Sequence, residues 1–246
     1  MELTPDDSIV FMIGTFGVNR TIVNTWAIMA LLTLVSMLIT RNLRPDVPPS
    51  RWRTALEVIV NAIQGQIGEV TQRTDRRLLY FTGTLFLFIL TSNMASVLPG
   101  FDPPTASLST TAALALSVLV AVPLFGIASR GLGGYLHTYL EPSILMLPFN
   151  IIGEVSRGIS LAIRLYGNIM SGAVIAAILL GIAPFFFPVL MNMLGLLTGV
   201  IQAYIFAILA TVYISSATAP APDADADPDA DAGPGQTPDT PHKEQT

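Results

Sequence analysis

The sequence predicts an all-α polytopic membrane protein, and three observations carry that reading. The 246 residues are 52% hydrophobic and only 12% charged, with mean hydropathy +0.62, whereas a soluble domain carries about 25% charged residues. Several charge-free apolar runs are long enough to cross a bilayer core as helices. Arginine is gathered into one segment, 41–77, and is almost absent from the turns on the other side of the predicted spans. The chain is therefore read as about five membrane helices plus one interfacial amphipathic helix, the last two spans forming a long tilted hairpin. Residues 1–217 form the membrane domain and 218–246 a disordered acidic tail.

Residues 1–20 are polar to mildly apolar and precede the first span. They are acidic at Glu2, Asp6 and Asp7 and so lack the basic start of a signal peptide. Thr21–Thr40 holds no charge and is bracketed by Arg20 and Arg41, which is enough for one crossing. Pro45 and Pro48-Pro49 stop that helix from continuing. Within 51–70, Trp52, Leu56, Ile59, Ile63, Ile67 and Val70 recur at steps of three and four, while Arg51, Arg53, Glu57, Gln64 and Glu69 take other faces. That pattern is an amphipathic helix, expected to lie on the membrane surface rather than pack on a partner.

Leu78–Leu98 is the second span and ends at Pro99-Gly100. A short loop with Asp102 and Pro103-Pro104 leads to a third span over Ala106–Ser129, where Pro123 is a candidate kink. Arg130 and Gly131–Gly134 form the next turn. From Ser143 to Gly181 the sole strong breaker is Pro148; a helix of that length runs about 58 Å, nearly twice the bilayer core, and must tilt or break. Pro184 and Pro188 frame a turn before a last long helix, Val189–Ser216. Its Asn192, Gly195, Gly199 and Gln202 share one face, and Gly195-x-x-x-Gly199 reads as a helix-packing motif. Gln202, in apolar surroundings, needs a polar partner, and a neighbouring polar stripe is the natural one.

Seven arginines (41, 44, 51, 53, 73, 76 and 77) lie between the first two spans, against none in 99–105 and one in 1–20. The positive-inside rule then makes 41–77 and 130–142 cytoplasmic and puts the N-terminus outside. Two further crossings bring the C-terminus to the cytoplasm. The tail beyond Thr218 is dominated by Pro, Asp and Ala and cannot bury enough apolar surface to fold. Its alternating Asp-Ala lacks the glycines of a calcium-binding repeat.

The most informative residue is Arg164, because no charge follows it until Asp223. A guanidinium at membrane depth is costly and marks function by default. On a helix it shares one stripe with Arg157, Ser160, Asn168 and Ser171. Such a stripe faces a polar path or a mobile counter-charge; the alternatives are an arginine snorkelling to the interface or paired within the bundle. Other chemistry is excluded more firmly. The sole lysine, Lys243 in the tail, leaves no Walker A loop, so any ATP is handled by another chain. No basic cluster with interleaved aromatics suggests nucleic acid. With no cysteine there is no thiolate metal site or thiol nucleophile, and no cofactor is expected.

Three stretches, SNMASVLPGFDPPTASLSTT (92–111), SLAIRLYGN (160–168) and IQAYIFAILATVY (201–213), resemble in order and spacing those of subunit a of F-type ATP synthases. The resemblance covers about 1–217 and implies a non-catalytic, ion-translocating subunit of the cell (inner) membrane. Its implied partners are a c-subunit ring, the subunit b peripheral stalk and the soluble F1 sector. It also implies that Arg164 is the stator arginine facing the rotor carboxylate, with Asn168 and Gln202 beside it. The chain departs from the family where relatives carry titratable groups, since those positions are Ala173, Gly195 and Ser107 here. Polar residues are left as lining candidates: Glu154, Ser160, Ser171 and Asn192, with Asn93, Ser96 and Asp102 for the outer half-channel. These departures resemble the alternative, N-type branch of the family. Protons are the default ion and Na⁺ the alternative. A stand-alone secondary transporter is the competing class, but the sequence lacks the inverted repeat that would favour it.

Overall fold

In a computed structural model the described part of the chain comprises residues 9–13, 16–40, 51–71, 76–98, 101–140, 145–181 and 186–218. It holds six helices: α1 (Arg20–Thr40), α2 (Arg51–Thr71), α3 (Arg76–Ala95), α4 (Leu108–Leu140), α5 (Met146–Leu180) and α6 (Phe186–Thr218). All but α2 are long and apolar enough to cross a bilayer. The acidic tail beyond Thr218, the prolines at 45, 48, 49 and 184, and the turn at 141–142 lie outside the described residues.

One element was not expected. Before α1, β1 (Ile9–Ile13) and β2 (Phe16–Asn19) pair antiparallel. The β-branched and aromatic content of Ile9, Val10, Phe11, Ile13, Phe16 and Val18 suits a strand ladder, although the segment is too short to announce itself by periodicity.

The core lies where α3, α4, α5 and α6 meet. Ile89, Val118, Leu161, Leu165, Ala203, Phe206 and Ala210 are all but fully buried there. A buried pair of hydroxyls, Thr211 donating to Thr82 at 3.3 Å, ties α6 to α3. Small residues let the helices approach closely, as membrane packing requires; Gly158 of α5 lies against Leu119 of α4. The outward faces carry many exposed large apolar side chains, Trp26, Met37, Leu124, Phe149, Ile163 and Met193 among them, as a lipid-facing surface does.

α2 is amphipathic as expected, but lipid does not take its whole apolar face. Ile59 is exposed, whereas Ile67 is only 3% exposed and clusters with Leu78, Ala121, Val122 and Ile214. Tyr204 of α6 donates its hydroxyl to Gln66 Oε1 at 2.5 Å. The second half of α2 is thus docked on the bundle.

In α4 the backbone leaves helical geometry at Gly131 (φ 75°, ψ 165°) rather than at Pro123. Only glycine takes that positive φ without strain. The helical turns after Gly131 fold back so that the Tyr135 ring packs on Gly126. α5 runs unbroken through its 35 residues, because Pro148 sits in its first turn, where the missing N–H costs nothing. At 1.5 Å per residue α5 and α6 are each about 50 Å long, so they cross a core of about 30 Å only on a steep slant.

Candidate functional site

α5 presents two faces. Gly158, Leu161, Ala162 and Leu165 are buried against the bundle, while Arg157, Ser160, Arg164 and Ser171 are exposed and Asn168 is half-buried. Arg164 lies eighteen residues past Met146 and sixteen before Leu180, near the centre of the helix. Among the described residues it has no hydrogen bond, ion pair or aromatic contact. A permanently charged group is therefore held at mid-helix, on an outward face, unpartnered among the described residues.

On the C-terminal side of Arg164 a cavity of about 420 Å³ opens between the helices. Its walls bring together Asn168 and Ala173 of α5, Asn192, Gly195, Thr198 and Gly199 of α6, and Asn93 and Ser96 at the end of α3. Arg20 and Asp102 are its charged lining residues, and they pair at 3.4 Å (Nη1 to Oδ2). Five residues picked from sequence (Asn93, Ser96, Asp102, Asn168 and Asn192) thus share one chamber. The positions where the family resemblance led us to expect titratable groups, Ala173 and Gly195, line it as well. Filled at the bulk share of about 30 Å³ per molecule, such a volume takes on the order of ten waters.

The individual residues do different work. Asn93, 4% exposed, donates through Nδ2 to the Gly199 carbonyl at 2.8 Å and accepts from Thr105 Oγ1 at 2.7 Å. Its amide ties α3, α6 and the 3-10 turn Pro104–Ala106 together, and only its flank faces the cavity. Ser96 donates to the Asn93 carbonyl at 2.6 Å, closing the end of α3. Asn168 Nδ2 reaches the Thr198 carbonyl at 3.4 Å across the α5–α6 hairpin. Ser171 donates to the Asn168 carbonyl at 3.2 Å and remains exposed.

Toward the other end of the bundle, Glu154 and Arg157 of α5 line a narrow crevice with Val118, Leu119, Val122 and Tyr213. Arg157 stacks over the Tyr213 ring at 5.5 Å. Arg164 therefore lies between a wide chamber lined by α5 residues on its C-terminal side and a narrow cleft lined by α5 residues on its N-terminal side.

Two expectations need correction. Gln202 is only 4% exposed, and its Nε2 finds no hydrogen-bond partner among the described residues; the polar stripe of α5 does not supply one. Gly195-x-x-x-Gly199 is not one packing motif. A Cβ at Gly199 would stand 2.9 Å from that of Asn93, whereas one at Gly195 would meet open space. Gly199 is a contact and Gly195 a piece of cavity wall.

Sequence reasoning missed Arg20, Thr105, Thr198 and Ser92. Arg20 signals only a span boundary and a loop charge; Ser92, fully buried with an Oγ unpartnered among the described residues, gives no signal beyond its place in the first motif.

A family model described as "ATP synthase A chain" matches residues 22–215. The chain is 58% identical over 218 residues to "ATP synthase subunit a 1" of Chlorobaculum parvum, covering 89% of this chain and 96% of that protein. It is 56% identical over 218 residues to "ATP synthase subunit a" of Albidiferax ferrireducens, covering 89% and 94%. Against "ATP synthase subunit a 2" of Acaryochloris marina identity is 54% over 218 residues, with 89% and 93% covered. A multi-pass bundle built around these motifs and matched along nine-tenths of its length leaves one assignment: the chain belongs to the ATP synthase A chain family, the subunit a of F-type ATP synthases.

Proposed function

We propose that this chain is the ion-translocating stator subunit of an F-type ATP synthase membrane sector, working against a c-subunit ring and held by the subunit b stalk and the F1 sector. It performs no covalent chemistry. The observation that carries the proposal is Arg164, exposed at the middle of an unbroken α5 and unpartnered among the described residues. A cation so placed calls for a counter-charge, and a rotor carboxylate supplies one. A rotor carboxylate brought against it ionises, because an adjacent cation favours the charged form.

The roles then follow position. The chamber beyond Asn168 is the outer half-channel, where hydrated ions reach the rotor carboxylate on one side of Arg164. The cleft at Glu154 and Arg157 begins the inner one. Arg164 separates them: the carboxylate exchanges its ion before and after the arginine and passes it only in the charged form. Arginine suits this task because it keeps its proton when poorly solvated. Protons are the default ion, and the amide and hydroxyl lining of the chamber serves Na⁺ equally well. The N-terminus faces outward and the C-terminus the cytoplasm, in keeping with the seven arginines between the first two spans.

The test is Arg164→Ala in the assembled complex, read by ATP-driven ion uptake into vesicles holding equal amounts of enzyme. Coupled uptake should vanish while the chain stays in the membrane, since none of the described residues pairs with the guanidinium. Arg164→Lys should also fail. Arg157→Ala, which removes a stacking contact, should keep most of the uptake. Full coupled uptake by Arg164→Ala would refute the proposal.

A further inference from the structure

The last helix ends among arginines. α3 and α6 run antiparallel, with Thr82 against Thr211 and Asn93 against Gly199. Arg76, six positions before Thr82, therefore stands level with Ala217, six after Thr211. α4 runs beside α6 in the same direction: Val122 clusters with Ile214, and a Cβ on Gly126 would lie 3.3 Å from the Ala217 carbonyl oxygen. Arg130, one turn past Gly126, is level with the chain just beyond Thr218. Arg76 and Arg77 are exposed and Arg130 is half-buried, and Arg157 stacks on Tyr213 one turn deeper. Opposing these four arginines are Glu69, two residues past Ile67, and Glu154; in the sequence Arg73 and Asp75 add no net charge. The balance is positive, whatever contacts Arg77, Arg130 and Glu154 make within the bundle.

From Thr218 the chain continues into Ala219-Pro220-Ala221-Pro222 and then Asp223, Asp225, Asp227, Asp229 and Asp231, with no basic residue among them. At about 3.1 Å per residue for a Pro-rich segment, Asp223 lies within about 15 Å of Thr218. We infer that the arginine face around Arg76 is a docking surface for this chain's own acidic tract, Asp223–Asp231. The contact is electrostatic and needs no fold in the tract. The tether keeps five carboxylates at high effective concentration beside the guanidinium groups. Opposite charges about 7 Å apart in water attract by about the thermal energy, a factor of about three per pair. The juxtaposition holds whichever side of the membrane this end of the bundle faces. Anionic lipid headgroups carry the same charge and are the competing occupant.

The test uses the whole complex in phosphatidylcholine nanodiscs. Arg76 is the probe, because it is exposed and makes no hydrogen bond or ion pair among the described residues. Arg76→Lys keeps the charge and supplies an amine, and a water-soluble carbodiimide joins that amine to a carboxylate in direct contact. The chain's one native lysine, Lys243, lies in the tail itself. Mass spectrometry should find position 76 linked to an aspartate of 223–231. Raising salt from about 50 mM to about 1 M, where the Debye length is about 3 Å, should cut the yield at least threefold. A dye on Ala226→Cys, in a subunit without native cysteine, reports docking by its anisotropy. Arg76→Gln should move the ratio of docked to free tract about threefold toward free, and Arg76→Lys should leave it unchanged.

No link in phosphatidylcholine, a link indifferent to salt, or equal anisotropy for Arg76→Gln and Arg76→Lys would overturn the docking. A link that forms in phosphatidylcholine but vanishes in phosphatidylglycerol would give the face to lipid and overturn it as well. None of these readouts uses ion uptake, so they stand apart from any failure of the proposed function.

Discussion

Replacing Asn93 separates two roles that its position allows. As a channel group it would act on the ion; as a strut it holds the chamber's frame. The geometry argues for the strut, since both ends of the amide are engaged, with Gly199 at 2.8 Å and Thr105 at 2.7 Å. Asn93→Ala keeps the Cβ that packs on Gly199 and deletes both bonds. Interhelical hydrogen bonds in membrane proteins average about 0.6 kcal/mol each and reach about 1.7, so the loss is about 1–3 kcal/mol. The upper end is expected, because Thr105 is fully buried and its hydroxyl loses its acceptor. For a chain of this size each kcal/mol lowers the melting temperature by about 2–4 °C, giving a drop of roughly 3–10 °C. Thermal unfolding of the purified complex in lipid nanodiscs measures it, alongside ATP-driven uptake normalised to intact enzyme. The expected result is a less stable complex that still pumps. An unchanged melting temperature with abolished uptake would refute the strut and make Asn93 a participant in ion transfer.

Gly199→Ala should destabilise the complex by about 1–3 kcal/mol, because the added methyl is forced onto a side chain pinned at both ends, whereas Gly195→Ala, which meets open space, should leave the melting temperature unchanged. A single cysteine at Asp102 should react with an impermeant thiol reagent from the outside and one at Ser50 should not; the opposite pattern would invert the proposed topology. Deleting Pro220–Thr246 should leave ATP-driven uptake nearly intact in assembled complex, since that stretch has no apolar residue larger than Ala or Pro, and loss of assembly would reveal a docking role.

What the sequence announced and what it hid divide on physical lines. Five spans were legible because crossing a bilayer imposes length and apolarity on each segment by itself. The outward stripe of α5 was legible for a similar reason, as helical period alone lines up Ser160, Arg164, Asn168 and Ser171. Contacts between segments were not. Nothing local distinguishes Gly195 from Gly199; only the arrival of Asn93 from α3 makes one a contact and leaves the other a wall. Arg20 brackets the first span in the sequence, and only the fold brings Asp102, eighty-two positions on, into an ion pair with it. Gln202 was expected to find a partner in the stripe, and its Nε2 has none among the described residues.

The buried face of α5 also has a mechanical meaning. On the proposed mechanism, a carboxylate drawn past Arg164 pulls sideways on the helix once for every ion carried. The easiest response of a long slanted rod to such a tug is to roll about its axis. Leu161 and Leu165 are lodged in the core and Gly158 is seated on Leu119, so rolling would unseat a packed surface. The resistance comes from packing rather than water exclusion, because lipid is as apolar as leucine. This face is therefore the bearing against which the rotor's load is taken, and replacing Gly158 by a residue larger than alanine, whose methyl alone would sit at ordinary contact with Leu119, should let the arginine slip out of line without touching a single polar group.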